Sequence, residues 1–525
     1  MNDDKLELKK TYTFAVENQQ KGNLEIAENS YLNILKQIPN HMNTRTNLGG
    51  LYLQMHKYEK ASSTLKAVLK IEPFNIHANS NLGLVYSELS EYLKAIACHK
   101  KVIDVDSNHA DTHNNLGRNY KQLGQYDLAK KHINKAIKIN PNHANAYNNL
   151  GTLLKTLGEN EKAIIALSKA LQINPNFLQA QLNLSNLYLN KKKNFKKATE
   201  ESYKALKLNL NLSHKISNPY GKNIQLFRLK HDYEQSAYLK KINYPVEGLN
   251  DFYALSKEIL SRKENLENEN NSNKEIFLKD DEVKLLMPFN KTVIIYNTPT
   301  LVGSALNPEK DWKKVENDYL KSKNEIMYID KFLSDEAIKE LRNFSLISKV
   351  WIHQYNNKYL GAFSDSGFIS PLHFQIGTEL QKKLPNLFGK YEIEKFWGFK
   401  YDTTLGQGIG IHADFAFLNL NFWITPDEFN NDKTNGGLKV YDAPAPNDWT
   451  FDRYNGNASE IYNFLKERNA KCEVVPYKFN RAVLFNSAYF HETDKIDFKK
   501  GYESRRINIT YLFGTRKIEK EKISF

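Results

Sequence analysis

His412-Ala413-Asp414, a distant His491, and Arg506-Ile507-Asn508-Ile509-Thr510 are the residues of this chain whose types and order could do chemistry. Two imidazoles and one carboxylate on one face of a metal leave positions open. That set suits non-haem Fe(II) binding a cosubstrate and O2 together. Successive side chains of a strand alternate sides, so His412 and Asp414 can aim at one ion. His491 must then come from a different strand. Arg506, Asn508 and Thr510 share a strand face by the same rule. A planar guanidinium there can grip a carboxylate with two parallel hydrogen bonds. An H-x-D triplet alone carries little weight in a chain with 14 histidines. The order H-x-D, Gly-Gly, apolar strand, His, Arg-x-Asn-x-Thr is far more specific.

Other segments accompany these groups. Tyr328-Ile329-Asp330-Lys331-Phe332-Leu333-Ser334 opens this half of the chain. Asn421-Phe422-Trp423-Ile424-Thr425-Pro426, Gly436-Gly437-Leu438, Ala482-Val483-Leu484-Phe485 and Arg505-Arg506-Ile507-Asn508 follow. On these residues the chain from about Glu325 onward resembles the Fe(II)- and 2-oxoglutarate-dependent dioxygenases, in particular bacterial proteins that fuse such a domain to tetratricopeptide repeats. The resemblance implies a double-stranded β-helix (jelly roll) with flanking helices. It implies Fe(II) held by His412, Asp414 and His491, Arg506 on the far carboxylate of 2-oxoglutarate, and O2 as second cosubstrate. Tyr401 could donate to 2-oxoglutarate or pack in the core. Asn508 could contact the cosubstrate or support Arg506. Arg505 points the other way along a strand and reads as outward or structural. Related halogenases lack the carboxylate so that halide can bind, so Asp414 favours hydroxylation. Arg506 to Thr510 also resembles the Arg-x-Asn-x-Thr of nucleic-acid demethylases, but Leu512 stands where those carry a further arginine.

Short strands are expected to position these groups, at 395–401, 409–414, 418–424, 438–441, 482–485 and 507–513. A strand and then a helix capped by Ser334 should precede them, with a second helix at 371–384. Helices first and strands later fit a barrel with helices packed outside. Gly436-Gly437 marks a bulge, a close backbone approach or a simple turn. A further strand is expected at 293–296 from its β-branched content.

The first part of the chain repeats. Leu48-Gly49, Leu82-Gly83, Leu116-Gly117 and Leu150-Gly151 recur every 34 residues, as do Ala61, Ala95, Ala129 and Ala163. Pro39, Pro73, Pro141 and Pro175 close units at one phase. This is the pattern of tetratricopeptide repeats, each a helix-turn-helix. Gly and Ala sit where helices cross closely, and Pro ends the second helix. About six units are expected to stack into an α-solenoid with one continuous core, the last carrying an insertion near Lys191-Lys192-Lys193. Asn47, Asn81, Asn115, Asn149 and Asn183 share one phase. A side-chain amide donates and accepts, so such a ladder can pair with the backbone of an extended peptide. The array resembles the superhelix of the protein O-linked N-acetylglucosamine transferase, where asparagines at this phase hold substrate peptides. The alternative is that they match a repeat consensus and face water.

With 525 residues the chain suits several domains. The expected division is an array at 1–211, a helical cap and linker at 212–290 with an exposed Asn/Glu-rich loop from 262 to 284, and an oxygenase-like unit at 291–525. Two cysteines form no disulfide framework, and no signal peptide or membrane-length apolar run is visible, which fits a cytoplasmic protein. The net charge of +14 is spread without a dense Lys/Arg cluster, which speaks against nucleic acid. The leading expectation is a hydroxylase of a protein or peptide held by the array. The alternatives are an oxygenase of a small metabolite or glycan with the repeats as an assembly module, and a non-catalytic repeat scaffold.

Overall fold

The computed structural model describes residues 2–190, 194–212, 223–262, 275–355, 359–402 and 408–515. The expected insertion at Lys191-Lys192-Lys193 lies outside them, as do residues 263–274 of the Asn/Glu-rich segment. The described end of that segment is no exposed loop but strand Glu275–Phe277 and the start of helix Asp280–Lys291, with Ile276 and Leu278 buried in an apolar cluster. The chain divides into two compact units, Met1–Ala180 and Gln181–Phe525.

The first unit is built of antiparallel helix pairs. Asn2–Lys21 pairs with Leu24–Gln37, Met42–Gln54 with Tyr58–Ile71, Ile76–Glu88 with Tyr92–Val105, Ala110–Gln122 with Tyr126–Ile139, and Ala144–Thr156 with Asn160–Ile173. The small residues lie where the period demands. Ala27, Ala61, Ala95, Ala129 and Ala163 are fully buried. A Cβ on Gly49 would stand 2.6 Å from Leu65, one on Gly117 2.4 Å from Ile133, and one on Gly151 2.6 Å from Leu167. These contacts are too short for a side chain, so glycine sets how closely paired helices approach. The fourth member of the series differs: Gly83 faces the ring of His99. Pro39, Pro73, Pro141 and Pro175 each sit in the turn after a second helix.

The expected boundaries at 211 and 290 differ from the division seen. Helix Phe195–Leu212, the second helix of the sixth pair, belongs to the second unit. Its Ser202 Oγ donates to the Ser364 carbonyl at 2.8 Å and accepts from the Gly367 amide, and the Tyr203 hydroxyl donates to the Ile369 carbonyl at 3.0 Å. Helix Leu226–Lys241 is likewise part of that unit's interior. Arg228 pairs with Asp232 at 2.8 Å and donates to the Trp351 carbonyl, and Gln235 reaches the carbonyls of Leu346, Ile347 and Ser348. These polar groups are buried, so hydrogen bonds that satisfy them also lock the helix in place.

Twelve strands are described in the second unit: β1 Asn223–Gln225, β2 Glu275–Phe277, β3 Ile326–Ile329, β4 His353–Tyr355, β5 Tyr359–Phe363, β6 Ile393–Tyr401, β7 Ala416–Trp423, β8 Leu438–Pro444, β9 Cys472–Val475, β10 Ala482–Asn486, β11 Tyr489–Thr493 and β12 Ile507–Thr515. They form an antiparallel seven-stranded sheet in the order β3-β10-β7-β12-β6-β5-β4, a three-stranded sheet in the order β11-β8-β9, and the small pair β1-β2. Helices Asp335–Ile347, capped by Ser334 accepting from the Ala337 amide, and Pro371–Lys383 contribute to the large apolar core on one side of the seven-stranded sheet. Two expected strands are absent. Segment 293–296 is extended without a ladder, held by the Lys349 amide on the Ile294 carbonyl and the Tyr296 amide on Ser348. Segment 409–414 forms a single bridge, His412 to His491. Its successive amides serve two segments: His412 bonds His491 and Asp414 bonds Ser487 of the β10–β11 hairpin, while Ala413 bonds Tyr454.

Candidate functional site

One cavity between the two larger sheets is lined by His412, Asp414, His491, Arg506, Tyr401 and Asn508, together with Trp397, Asn419, Asn421 and Thr510. Every chemistry-bearing residue singled out in the catalytic half therefore borders one space. One ligand atom from each of His412, Asp414 and His491 lies within 4.8 Å of the others, the arrangement of a group that could hold a metal ion. The two imidazole centroids are 4.3 Å apart. The backbones of His412 and His491 exchange both hydrogen bonds of an antiparallel pair, at 3.0 and 2.8 Å. His412 Nδ1 lies 2.9 Å from the Gly410 carbonyl and His491 Nδ1 3.0 Å from that of Tyr489. A carbonyl can only accept, so each Nδ1 carries the proton and each Nε2 presents a lone pair. That is how a metal-ligating histidine is oriented by its surroundings. Asp414 Oδ2 lies 3.5 Å from His491 Nε2 and accepts from Asn419 Nδ2 at 2.7 Å. Burial, then the neighbouring His412 ring, holds His491 well below the usual histidine range, which keeps it neutral. Burial raises the Asp414 carboxyl, against His412 and Asn419.

Arg506 sits in the same cavity and is 1% exposed. Its Nε donates to the Gly436 carbonyl at 2.7 Å, Nη2 to that of Gly437 at 3.2 Å and Nη1 to Asn508 Oδ1 at 3.2 Å. Its guanidinium carbon stands 4.8 Å from the Tyr401 ring centre and 5.7 Å from that of Trp423. Among the described residues no carboxylate forms an ion pair with it. The Asp494 carboxylate acts on it only from beyond ion-pair distance, so neutral oxygens are its direct partners and an anion in the cavity could pair with it. Asn508 thus supports Arg506 directly. Tyr401 is fully buried in an apolar cluster, the core-packing role, and also lines the cavity.

Gly436-Gly437 is a close backbone approach. A Cβ on Gly437 would fall 1.8 Å from the Val475 carbonyl oxygen, and Gly436 adopts φ +83°. Of the two readings of Arg505, outward or structural, the structural one holds. Arg505 is 3% exposed, with Nε on Glu234 at 2.8 Å and Nη1 3.9 Å from Asp402. The neighbouring helix supplies a carboxylate that the sequence reading could not place. Asn419 was also missed; its signal was the alternation Asn419-Leu420-Asn421 on an otherwise apolar strand.

Asn47, Asn81, Asn115 and Asn149 lie half-buried at one phase of successive first helices in the first unit. Asn183, at the same phase of helix Leu178–Asn190, falls in the second unit. Asn47 Nδ2 donates to the Tyr12 hydroxyl at 2.9 Å, and Asn149 Nδ2 to Asn114 Oδ1 at 2.8 Å. These amides are thus partly engaged with neighbouring repeats. No helix among the described residues is long and apolar enough to cross a membrane.

Tetratricopeptide repeat models match residues 43–75, 75–142 and 108–176. This part of the chain is a tetratricopeptide repeat array. Such repeats generally mediate binding to proteins or peptides. Similar solved structures include MamA from Desulfovibrio magneticus RS-1, 24% identical over 32% of this chain and 95% of that one, with a TM-score of 0.29. A tetratricopeptide repeat protein from Parabacteroides merdae ATCC 43184 is 17% identical over 48% of this chain and 98% of that one, with a TM-score of 0.33. YrrB, described as a TPR protein with an unusual peptide-binding site, is 21% identical over 34% and 91%, with a TM-score of 0.27. No curated protein matches the chain.

Proposed function

We propose that the second unit is an Fe(II)- and 2-oxoglutarate-dependent oxygenase that hydroxylates a protein or peptide held by the repeat array. The observation that carries this reading is the convergence of His412, Asp414 and His491 beside a buried Arg506 that forms no direct ion pair among the described residues. Strand order supports a double-stranded β-helix. β10-β7-β12-β6 are consecutive in one sheet, and the His412 bridge extends the other to His412-β11-β8-β9. Iron with 2-oxoglutarate and O2 would supply oxidation of a C–H bond, one oxygen atom going to the substrate and the other to succinate as CO2 leaves.

The chain's own residues do the rest. His412 and His491 offer Nε2 because their Nδ1 protons are committed to backbone carbonyls. Asp414 offers one carboxylate oxygen and adds negative charge that favours a divalent cation. Arg506, its plane fixed by the carbonyls of Gly436 and Gly437, would take the remote carboxylate of the cosubstrate. Tyr401 and Trp423 wall that carboxylate site and exclude water, which strengthens the pairing. The repeats would bring the substrate chain to the enzyme at raised effective concentration.

The test is anaerobic titration of the full chain with Fe(II) and 2-oxoglutarate, followed by visible absorbance, with Asp414→Ala and Arg506→Ala as comparisons. The wild type should develop the metal-to-ligand band and both variants should lose it. Oxygen should then yield succinate and, with peptides captured by the array, a +16 Da product. A second reading is a repeat scaffold without catalysis, favoured by the family matches, which all fall in the repeats. No band and no succinate from wild type would establish that reading instead.

A further inference from the structure

Asn419 is the polar neighbour that the metal triad does not account for. It lies near the centre of the seven-stranded sheet, paired across to Phe485 on one side and Leu512 on the other, and is fully buried. A primary amide at such a position is costly unless its hydrogen bonds are made. Its Nδ2 donates to Asp414 Oδ2 at 2.7 Å, while its Oδ1 has no partner among the described residues. Core packing alone would favour an apolar residue there. Leu418 and Leu420 flank it and Asn421, one step further on the same face, donates to Thr510 instead. The amide contacts the same carboxylate oxygen that stands 3.5 Å from His491 Nε2.

We propose that Asn419 is a positioning residue for the Asp414 carboxylate. Its N–H occupies one lone pair of Oδ2 and fixes the carboxylate plane, so that Asp414 binds a metal through one oxygen and leaves the remaining positions for cosubstrate and O2. Without the amide, the carboxylate rotates about its Cβ–Cγ bond and both oxygens compete for the ion. This inference rests on the metal-site reading above.

The test uses Co(II) as probe on the full chain, with affinity from competition with a chromophoric chelator and geometry from the d–d spectrum. Asn419→Leu, similar in size and without a donor, should weaken Co(II) about 10- to 100-fold and alter band intensity. Asn421→Leu should stay within about twofold, because Asn421 touches no ligand. Near-ultraviolet circular dichroism checks the fold, and Asn419→Ser, too short to reach Asp414, takes the place of the leucine variant if that one misfolds. Wild-type affinity and spectrum in a folded Asn419 variant overturn the proposal while leaving the metal site standing. An equal loss in Asn421→Leu also overturns it, since polarity of the wall would then be responsible. If the wild type binds no Co(II), or Asp414→Ala binds it equally well, the metal-site reading fails and the proposal fails with it.

Discussion

Replacing His99 by leucine is expected to stabilise the repeat array. His99 is fully buried against Gly83, at the phase filled elsewhere by Leu65, Ile133 and Leu167. Neither ring nitrogen has a partner among the described residues. An unpartnered buried polar group costs about 1–3 kcal/mol, and imperfect fit of the new side chain returns up to about 1 kcal/mol of that. The net gain at pH 7 is therefore roughly 1–2 kcal/mol. Burial, then the charges of Arg118 and His109, lowers the His99 pKa from 6.5 to about 4. The unfolded chain thus binds the extra proton between these values. Stability is fully present above pH 6.5 and is lost as pH falls towards 4. At about 1.4 kcal/mol per pH unit, the loss between pH 7 and pH 5 is close to 2 kcal/mol. Hydrogen exchange on the full chain, read in helices Ile76–Glu88 and Tyr92–Val105 and corrected for intrinsic rates, measures it. The wild type should open about twentyfold more readily at pH 5 than at pH 7, and His99→Leu should lack this component. Equal or poorer protection in the variant at pH 7, or the same pH response in both proteins, refutes the reasoning.

Arg506→Met should abolish 2-oxoglutarate binding and lower stability by about 1–3 kcal/mol, because it leaves the Gly436 and Gly437 carbonyls and Asn508 Oδ1 without their donor; paired calorimetry and unfolding scans check both halves. Gly437→Ala should cost more than about 3 kcal/mol, since the new methyl group would collide with the Val475 carbonyl and displace the carbonyls that hold Arg506; wild-type melting would disprove it. Asn115→Ala with Asn149→Ala should weaken capture of extended peptides about tenfold, close to 1 kcal/mol per lost pair of amide contacts, with the melting of the array little changed; unchanged capture in a pull-down titration places those amides outside the binding surface.

The repeat array was legible because each small residue answers a local demand that recurs with the period. Gly49, Gly117 and Gly151 each face a bulky side chain one helix away, and the sequence displays that spacing directly. The convergence at the site was legible for a different reason: the i, i+2 spacing suggests that His412 and Asp414 face one ion, and both border the cavity. No regular strand forms there, since the Asp414 amide bonds Ser487 two residues out of register with the His412–His491 pair while the Ala413 amide turns to Tyr454, and long-range partners leave no local trace. The same holds for Arg505, whose carboxylate lies 271 positions away on helix Leu226–Lys241. The boundary after Ala180 was hidden because the sixth helix pair keeps the repeat's apolar phase, while Ser202 and Tyr203 commit it to the sheet-bearing unit.

The paired main chains of His412 and His491 have a consequence for how the centre tolerates emptying. The two amide-to-carbonyl links hold the main chains of these residues side by side, and the Nδ1 contacts with the Gly410 and Tyr489 carbonyls orient the rings, all without an ion. On the proposed metal-site reading, stripping with a chelator should therefore leave circular dichroism and melting nearly untouched, and readdition of the ion should restore binding without a slow refolding phase.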